Sequence, residues 1–258
     1  MLKTLVALAF ASLSLIGAEA SATPPESQDP DFLFGAPRFT AGFRAGWNLA
    51  RAESDLFEFI RELQTIGDGD FDAPTLGADF ALVLNQRLDV VFGFQYSRSS
   101  TTSEFREFVG SDDLPIVQQT NLTQFPLTAS AKFYLVPRGQ EVSRYAWVAR
   151  GAAPYVGAGV GLQWYKFEQA GEFIDCTDPS LVECIDQPIF EATLVSSAWT
   201  PTVHVFGGVD VKLGRKMFLT VEGRYAWADA KVQGDFIGFD SIDLTGLGIT
   251  AGVYWVFN

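Results

Sequence analysis

Leu247-Gly248-Ile249-Thr250-Ala251-Gly252-Val253-Tyr254-Trp255-Val256-Phe257 is the stretch that decides the fold. Its odd positions, Leu247, Ile249, Ala251, Val253, Trp255 and Phe257, make an apolar face that ends in aromatics. Its even positions, Gly248, Thr250, Gly252, Tyr254 and Val256, are small, polar or amphipathic. Successive side chains of a strand point to opposite faces, so this pattern predicts a strand with one apolar wall. Its length suits the roughly 9–11 residues that a tilted strand needs to cross hydrocarbon. A soluble sheet alternates too, but it has no reason to set Trp and Phe at the rim of its apolar face. A membrane strand does, because amphipathic rings settle at the headgroup boundary.

Seven earlier runs alternate in the same way, at 39–49, 76–84, 88–97, 124–135, 155–165, 202–213 and 217–227. With 247–257 they make eight, an even number that can close as an antiparallel barrel. Closure matters because an open sheet edge in lipid leaves backbone donors and acceptors unpaired. The connections also alternate. Runs two and three, and six and seven, are joined by about three residues, whereas 50–74, 99–123, 168–199 and 228–243 are long. The expectation is an all-β fold: an eight-stranded antiparallel up-and-down transmembrane barrel, with long extracellular loops and short periplasmic turns. The basic connection 136–153 (Arg138, Arg144, Arg150) is too long for such a turn and is expected to be structured.

Thr250, Gly252, Trp255 and Phe257 resemble the terminal assembly signal of bacterial outer-membrane barrels, with Asn258 as a departure, since such chains usually stop at the aromatic. By architecture, residues 39–257 resemble the small barrels of the OmpA-transmembrane, OmpX and OmpW kind. The resemblance implies residence in the bacterial outer membrane, contact with its lipid and lipopolysaccharide, and delivery by the barrel-assembly machinery. A monomer is expected.

The other end of the chain agrees. Met1-Leu2-Lys3 is a short positive head, Thr4 to Ala18 is uncharged and largely apolar, and Ala18-Glu19-Ala20 and Ala20-Ser21-Ala22 offer small-x-small cleavage patterns. Residues 1–22 therefore read as a cleaved secretory signal peptide, 23–38 as a periplasmic tail and 39–258 as the barrel domain. Beyond Ala22 no apolar stretch approaches the roughly 18 residues of a spanning helix.

Charged residues make up only 19% of the 258-residue chain and hydrophobic ones 48%, which suits an outer wall that meets lipid. The net charge of −13 argues against nucleic acid, whose phosphates need clustered Lys and Arg. Cys176 and Cys184 are the only two cysteines, and in an exported chain they predict an intraloop disulfide. Mass spectrometry of the exported protein should find them bonded to each other; two free thiols would remove this expectation.

Carboxylates gather in the long loops, at Asp68, Asp70, Asp72, Asp112, Asp113, Glu172, Asp175, Asp178, Glu183 and Asp186. They are expected to be solvated, with divalent cations as the minority possibility. Ser54-Asp55-Leu56-Phe57-Glu58 predicts a helix start with Asp55 as cap, followed by an apolar stripe of Leu56, Phe59, Ile60 and Leu63 over the barrel mouth.

The inward positions carry the mechanism. Arg44, Asp79, Lys132, His204, Asp210, Glu222 and Arg224 fall on polar faces together with Gln95, Gln163 and Lys212. Charges in so narrow a space must neutralise one another or hold water. The interior of an eight-stranded barrel is just wide enough for side chains to fill. A plug of ion pairs is therefore expected, with Arg44 reaching toward Glu222 across the small inward residues Gly248 and Gly252. The alternative is a narrow porin-like or OmpW-like channel, encouraged by the stripe Gly157, Gly159, Gly161. The single histidine, His204, has no Ser beside it on its strand face, and no nucleophile motif, zinc spacing or phosphate loop occurs. No enzyme, cofactor or metal site is expected. The expected role is structural, or surface interaction through the acidic loops.

Overall fold

A computed structural model describes residues 32–109, 114–174 and 189–258. Cys176 and Cys184, Asp112 and Asp113, the acids from Asp175 to Asp186 and the leader 1–22 lie outside the described residues.

Eight strands close into one antiparallel barrel. They are β1 (Phe39–Ala50), β2 (Ala73–Val83), β3 (Leu88–Val109), β4 (Pro115–Tyr134), β5 (Ala152–Ile174), β6 (Ile189–Lys212), β7 (Met217–Trp227) and β8 (Gly246–Phe257). Each pairs with its sequence neighbours, and β8 seals the barrel on β1 in a register running from Gly246↔Ala50 to Phe257↔Phe39. Thus the alternating run that decides the fold also closes it.

The barrel is inside-out relative to a soluble domain. Phe43, Leu76, Phe92, Leu127, Val160, Val205, Val221 and Ile249 are exposed on the outer wall, while Arg44, Asp79, His204 and Glu222 are buried. An exposed apolar surface that runs right round a barrel is the kind that lipid covers. Trp47, Tyr96, Trp199 and Trp227 are exposed toward the end with the long loops; Phe133, Trp255 and Phe257 are exposed toward the short-turn end. Trp164 is half-buried and sits opposite Trp199 in the β5–β6 register.

Two expected loops are largely strand. β3 and β4 extend to Val109 and from Pro115, and β5 and β6 extend to Ile174 and from Ile189. Beyond the membrane no face has to be apolar, so Ser99, Thr101, Ser103, Thr120 and Asn121 pair as strand without any hydropathic alternation to betray them.

The long-loop end is closed by its own core. The helix α1 (Asp55–Leu63) begins at Ser54, one residue before the expected cap, and Asp55 and Glu58 occupy its first turn, where carboxylates suit the helix dipole. Its buried face is Leu56, Phe57 and Ile60. Phe59, expected in the stripe, is 48% exposed and faces Phe239 instead, ring centroids 5.3 Å apart. Both stripes satisfy helical spacing; the aromatic wall formed by Phe71 and Phe167 selects the face with Phe57.

At the short-turn end the long connection forms a hairpin, Gly139–Ser143 with Ala146–Ala149, and Leu33–Phe34 adds a third strand. Trp147 is buried there in a cluster with Leu33, Phe218 and Val256. That hairpin accounts for the length of the connection.

Candidate functional site: the closed lumen

The lumen is stratified along the barrel axis, and each layer follows from which inward positions carry Gly and which carry charge. In the layer nearest the short turns, Arg138 Nη1 donates to Asp89 Oδ2 at 2.8 Å. Lys132 Nζ donates to Asp210 Oδ2 at 2.8 Å, and the Tyr134 and Thr220 hydroxyls donate to the same carboxylate at 2.7 Å each. The Lys132 ammonium also lies 3.7 Å from the centroid of the Tyr155 ring, a cation–π contact.

Mid-barrel, the Glu222 carboxylate gathers four donors. Arg44 Nη1 reaches Oε1 at 3.1 Å, Arg224 reaches it through Nη2 at 2.9 Å and Nε at 3.1 Å, and the Tyr155 hydroxyl donates to Oε2 at 2.9 Å. Arg44 Nη2 turns toward Asp79 Oδ1 at 3.4 Å, and Tyr254 donates to the other oxygen of Asp79 at 2.5 Å. Glycine makes the room. A Cβ on Gly252 would stand 2.9 Å from Arg44 Cβ, one on Gly77 would stand 3.1 Å from Arg44 Nε, and one on Gly93 would collide with Asp79. Arg44 and Glu222 therefore meet, Asp79 pairs with Arg44 as well, and Lys132 pairs with Asp210.

The stripe Gly157, Gly159, Gly161 does not leave a groove. Phe206 occupies the space over Gly157, and Ser130 and His204 meet over Gly159, where a Cβ would stand 2.5 Å from Ser130 Oγ and 2.8 Å from His204 Cε1. His204 Nε2 and Ser130 Oγ are 2.8 Å apart. The sequence hid this pair because Ser130 is on β4, two strands away from β6. His204 Nδ1 has no hydrogen-bonding partner among the described residues.

Gln163 Nε2 donates to Gln124 Oε1 at 3.1 Å in the next layer. Above it comes the mouth core, where Leu122, Tyr165 and Phe167 from the wall pack with Leu56, Phe57 and Ile60 of α1 and with Phe236, Ile242 and Leu244. The Tyr165 hydroxyl is tied to Ser196 Oγ at 2.8 Å and donates to Lys231 O at 3.0 Å. Hydrogen bonds from Gln64 to Gln118 and from Ser103 to Gln64 anchor the end of the helix to the barrel wall.

Among the described residues the lumen holds two small cavities of about 40 Å³ each, enough for a few water molecules. One lies on the Asp210 side and the other on the His204 side, and Arg224 borders both. Its guanidinium stacks over the Phe206 ring at 4.8 Å, so Arg224 is the partition between them.

Among the described residues, the loop acids Asp68, Asp70 and Asp72 are each engaged separately. Asp68 accepts from Arg61 at 2.8 Å, Asp70 from the Gly67 amide at 2.6 Å and Asp72 from the Ala50 amide at 2.8 Å. Asp70 and Asp72 thus hold backbone amides, and Asp68 holds the last turn of α1 through Arg61.

The sequence missed Asp89, Tyr134, Arg138, Tyr155 and Tyr254 as members of the network. Tyr and Asp on the polar face were visible as inward, but Arg138 lies in the connection after β4, and nothing in its spacing signals that it folds back into the barrel.

No family model matches the sequence, and no curated protein matches it. Solved structures of small bacterial outer-membrane barrels do resemble the fold. Neisserial surface protein A is 15% identical, with 85% of this chain and 96% of that chain covered at a TM-score of 0.45. Ail, the attachment invasion locus protein of Yersinia pestis, is 12% identical, with coverage of 85% and 99% and a TM-score of 0.40. Outer membrane protein W of E. coli is 17% identical, with coverage of 86% and 98% and a TM-score of 0.35. At these identities the likeness extends to the fold alone.

Proposed function

We propose that this chain is a closed outer-membrane barrel whose lumen is a stabilising plug and whose work is done at its surface. In that setting the short turns and the hairpin face the periplasm, and α1 with the two long hairpins faces outward. The observation that carries the reading is the Glu222 cluster. Two guanidinium groups and a phenol converge on one buried carboxylate, and Arg224 there separates two cavities of about 40 Å³. The mouth core is a second barrier in series. Eight strands leave an interior that side chains fill, so such a barrel is suited to presenting β3–β4 and β5–β6 beyond the membrane. Those long hairpins and the acids around α1 are the surface available to a partner.

The alternative of a narrow channel rests on Arg224, because displacing one side chain would join the cavities. Planar-bilayer recording separates the two readings. The purified full-length protein should give no discrete conductance steps at ±100 mV in ~1 M salt, while its folded state is verified on the same sample by heat-modifiability on gels. Steady unitary steps from the unmodified protein would reject the plug and establish the channel.

A further inference from the structure

Among the described residues, the exposed charges that the lumen does not absorb are distributed unequally between the two ends. At the short-turn end Arg38, Arg87, Arg144, Arg150 and Lys216 are exposed. They sit just beyond the outer wall's last apolar residues: Arg38 adjoins Phe39, Arg87 follows Leu84 by three positions, and Lys216 follows Leu213 by three. Leu84, Leu135 and Leu213 are exposed, so these cations form a ring immediately below the apolar belt, at the depth where headgroups begin. Among the described residues of this end, Glu141 is the exposed acidic side chain, while Asp89 and Asp210 are turned inward and paired. At the opposite end acids predominate, with Glu58, Glu62, Asp68, Asp235 and Asp240 among those exposed, beside the exposed Arg51, Arg98, Arg106 and Lys231.

The hairpin supplies the apolar complement and a groove. Phe34, Val142 and Tyr145 are exposed on or beside it, and the Arg144 guanidinium lies over the Tyr145 ring at 5.6 Å. A groove of about 380 Å³ opens there, lined by Gln86, Pro137, Gln140, Val142 and Arg150. Arg150 is held in place by its Nε, which donates to Pro137 O at 3.1 Å. The groove thus combines amide donors, a fixed guanidinium and an apolar flank beside Arg87. Phosphate esters carried on acyl chains require that combination: charge-assisted donors for the oxygens and apolar contact next to them.

We infer that the short-turn end is a binding surface for anionic phospholipid headgroups of the surrounding leaflet, with Arg87, Arg150 and Lys216 as its phosphate-binding cations. The inference rests on the membrane placement proposed above and is independent of whether the lumen conducts. A cation close to an anionic membrane surface is worth roughly fivefold in association, and part of that is lost to salt and to mobility.

Bilayers of phosphatidylcholine containing brominated phosphatidylglycerol, compared with brominated phosphatidylcholine, test it through quenching of the protein's tryptophan fluorescence. The full chain should prefer phosphatidylglycerol about threefold or more at ~50 mM salt. The variant Arg87→Gln/Arg150→Gln/Lys216→Gln should fall to a ratio near one, while Arg51→Gln/Lys231→Gln at the other end keeps the preference. Brominated phosphatidylcholine itself must quench, which reports membrane placement separately; strong quenching with a ratio of one overturns the headgroup site alone. Glu26, Asp29 and Asp31 precede Phe32 in the sequence. A preference that emerges only in Glu26→Gln/Asp29→Asn/Asp31→Asn would mean that this tail neutralises the ring, and it too would overturn the inference. So would a wild-type ratio of one accompanied by sedimentation with purified peptidoglycan.

Discussion

Glu222→Ala should lower the stability of the barrel by about 3–5 kcal/mol, the usual cost of removing one member of a buried ion pair. The size follows from what is left behind. Arg44 and Arg224 both direct donors at Glu222 Oε1, and Arg44 is 5% exposed, so it cannot recover hydration by turning outward. Asp79 remains to Arg44, but at 3.4 Å and already bonded to Tyr254. Tyr155 loses its acceptor as well. Glu222→Gln should cost less, since the amide oxygen still accepts one bond. Glu62→Ala, on the exposed face of α1, should change stability by no more than about 0.5 kcal/mol. Exposed pairs such as Arg51–Glu53, screened by solvent, contribute little beside the Glu222 cluster. The measurement is urea unfolding in lipid, read by the gel shift between folded and heated forms. Equal midpoints for Glu222→Ala and wild type would show that the cluster does not hold the barrel together.

The barrel itself was legible because lipid imposes a hydropathic period of two on each crossing segment. Runs 39–49, 76–84 and 247–257 begin and end within three residues of their strands, and 217–227 coincides with β7 at both ends. The constraint stops where the membrane stops. Ser99 to Thr102 and Gln118 to Asn121 pair as regularly as any membrane segment, yet their polar residues on both faces look like loop. The face of α1 was misread, with Phe59 expected where Phe57 is buried, for a related reason. Phe57 and Phe59 are equally compatible with the helical period, and only the position of Phe71 and Phe167, brought in from other segments, decides between them.

The lumen was legible as composition more than as pairing. Alternation identifies which residues point inward, and registry across the narrow β8 places Arg44 near Glu222. Contacts that cross the lumen were not accessible in this way. Lys132 on β4 reaches Asp210 on β6 over the Tyr155 ring, and Ser130 reaches His204 past Gly159, so the second pair depends on a missing side chain on the strand between them. Glycines that looked like vacant space are occupied by neighbours' side chains. An account based on one strand at a time reads such a stripe as a passage, whereas three strands taken together read it as packing.

Phe57→Ala should cost about 3–5 kcal/mol, as expected for removing a wholly buried aromatic ring that its surroundings cannot replace. Its ring centroid stands 4.5 Å from Phe71 and 6.0 Å from Phe167, so the void would open directly over the wall residues of the mouth core. This loss should nevertheless leave the barrel closed to ions, because the Arg224 partition lies deeper and shares no partner with Phe57. Arg224→Ala should likewise stay silent in bilayer recordings: it joins the two cavities but leaves the mouth sealed and keeps the Arg44–Glu222 pair. The combination Phe57→Ala/Arg224→Ala should conduct, while its loss of stability is close to the sum of the single losses, since unconnected sites usually add. Barriers in series predict that non-additive conductance alongside additive stability. If Phe57→Ala alone conducts as well as the pair, the mouth core is the sole barrier and the mid-barrel ion pairs serve stability only. If the pair remains silent while both proteins run as folded species, a further constriction must exist. The layer nearest the short turns, where Arg138, Asp89, Tyr134, Lys132 and Asp210 meet, would then be the one to open.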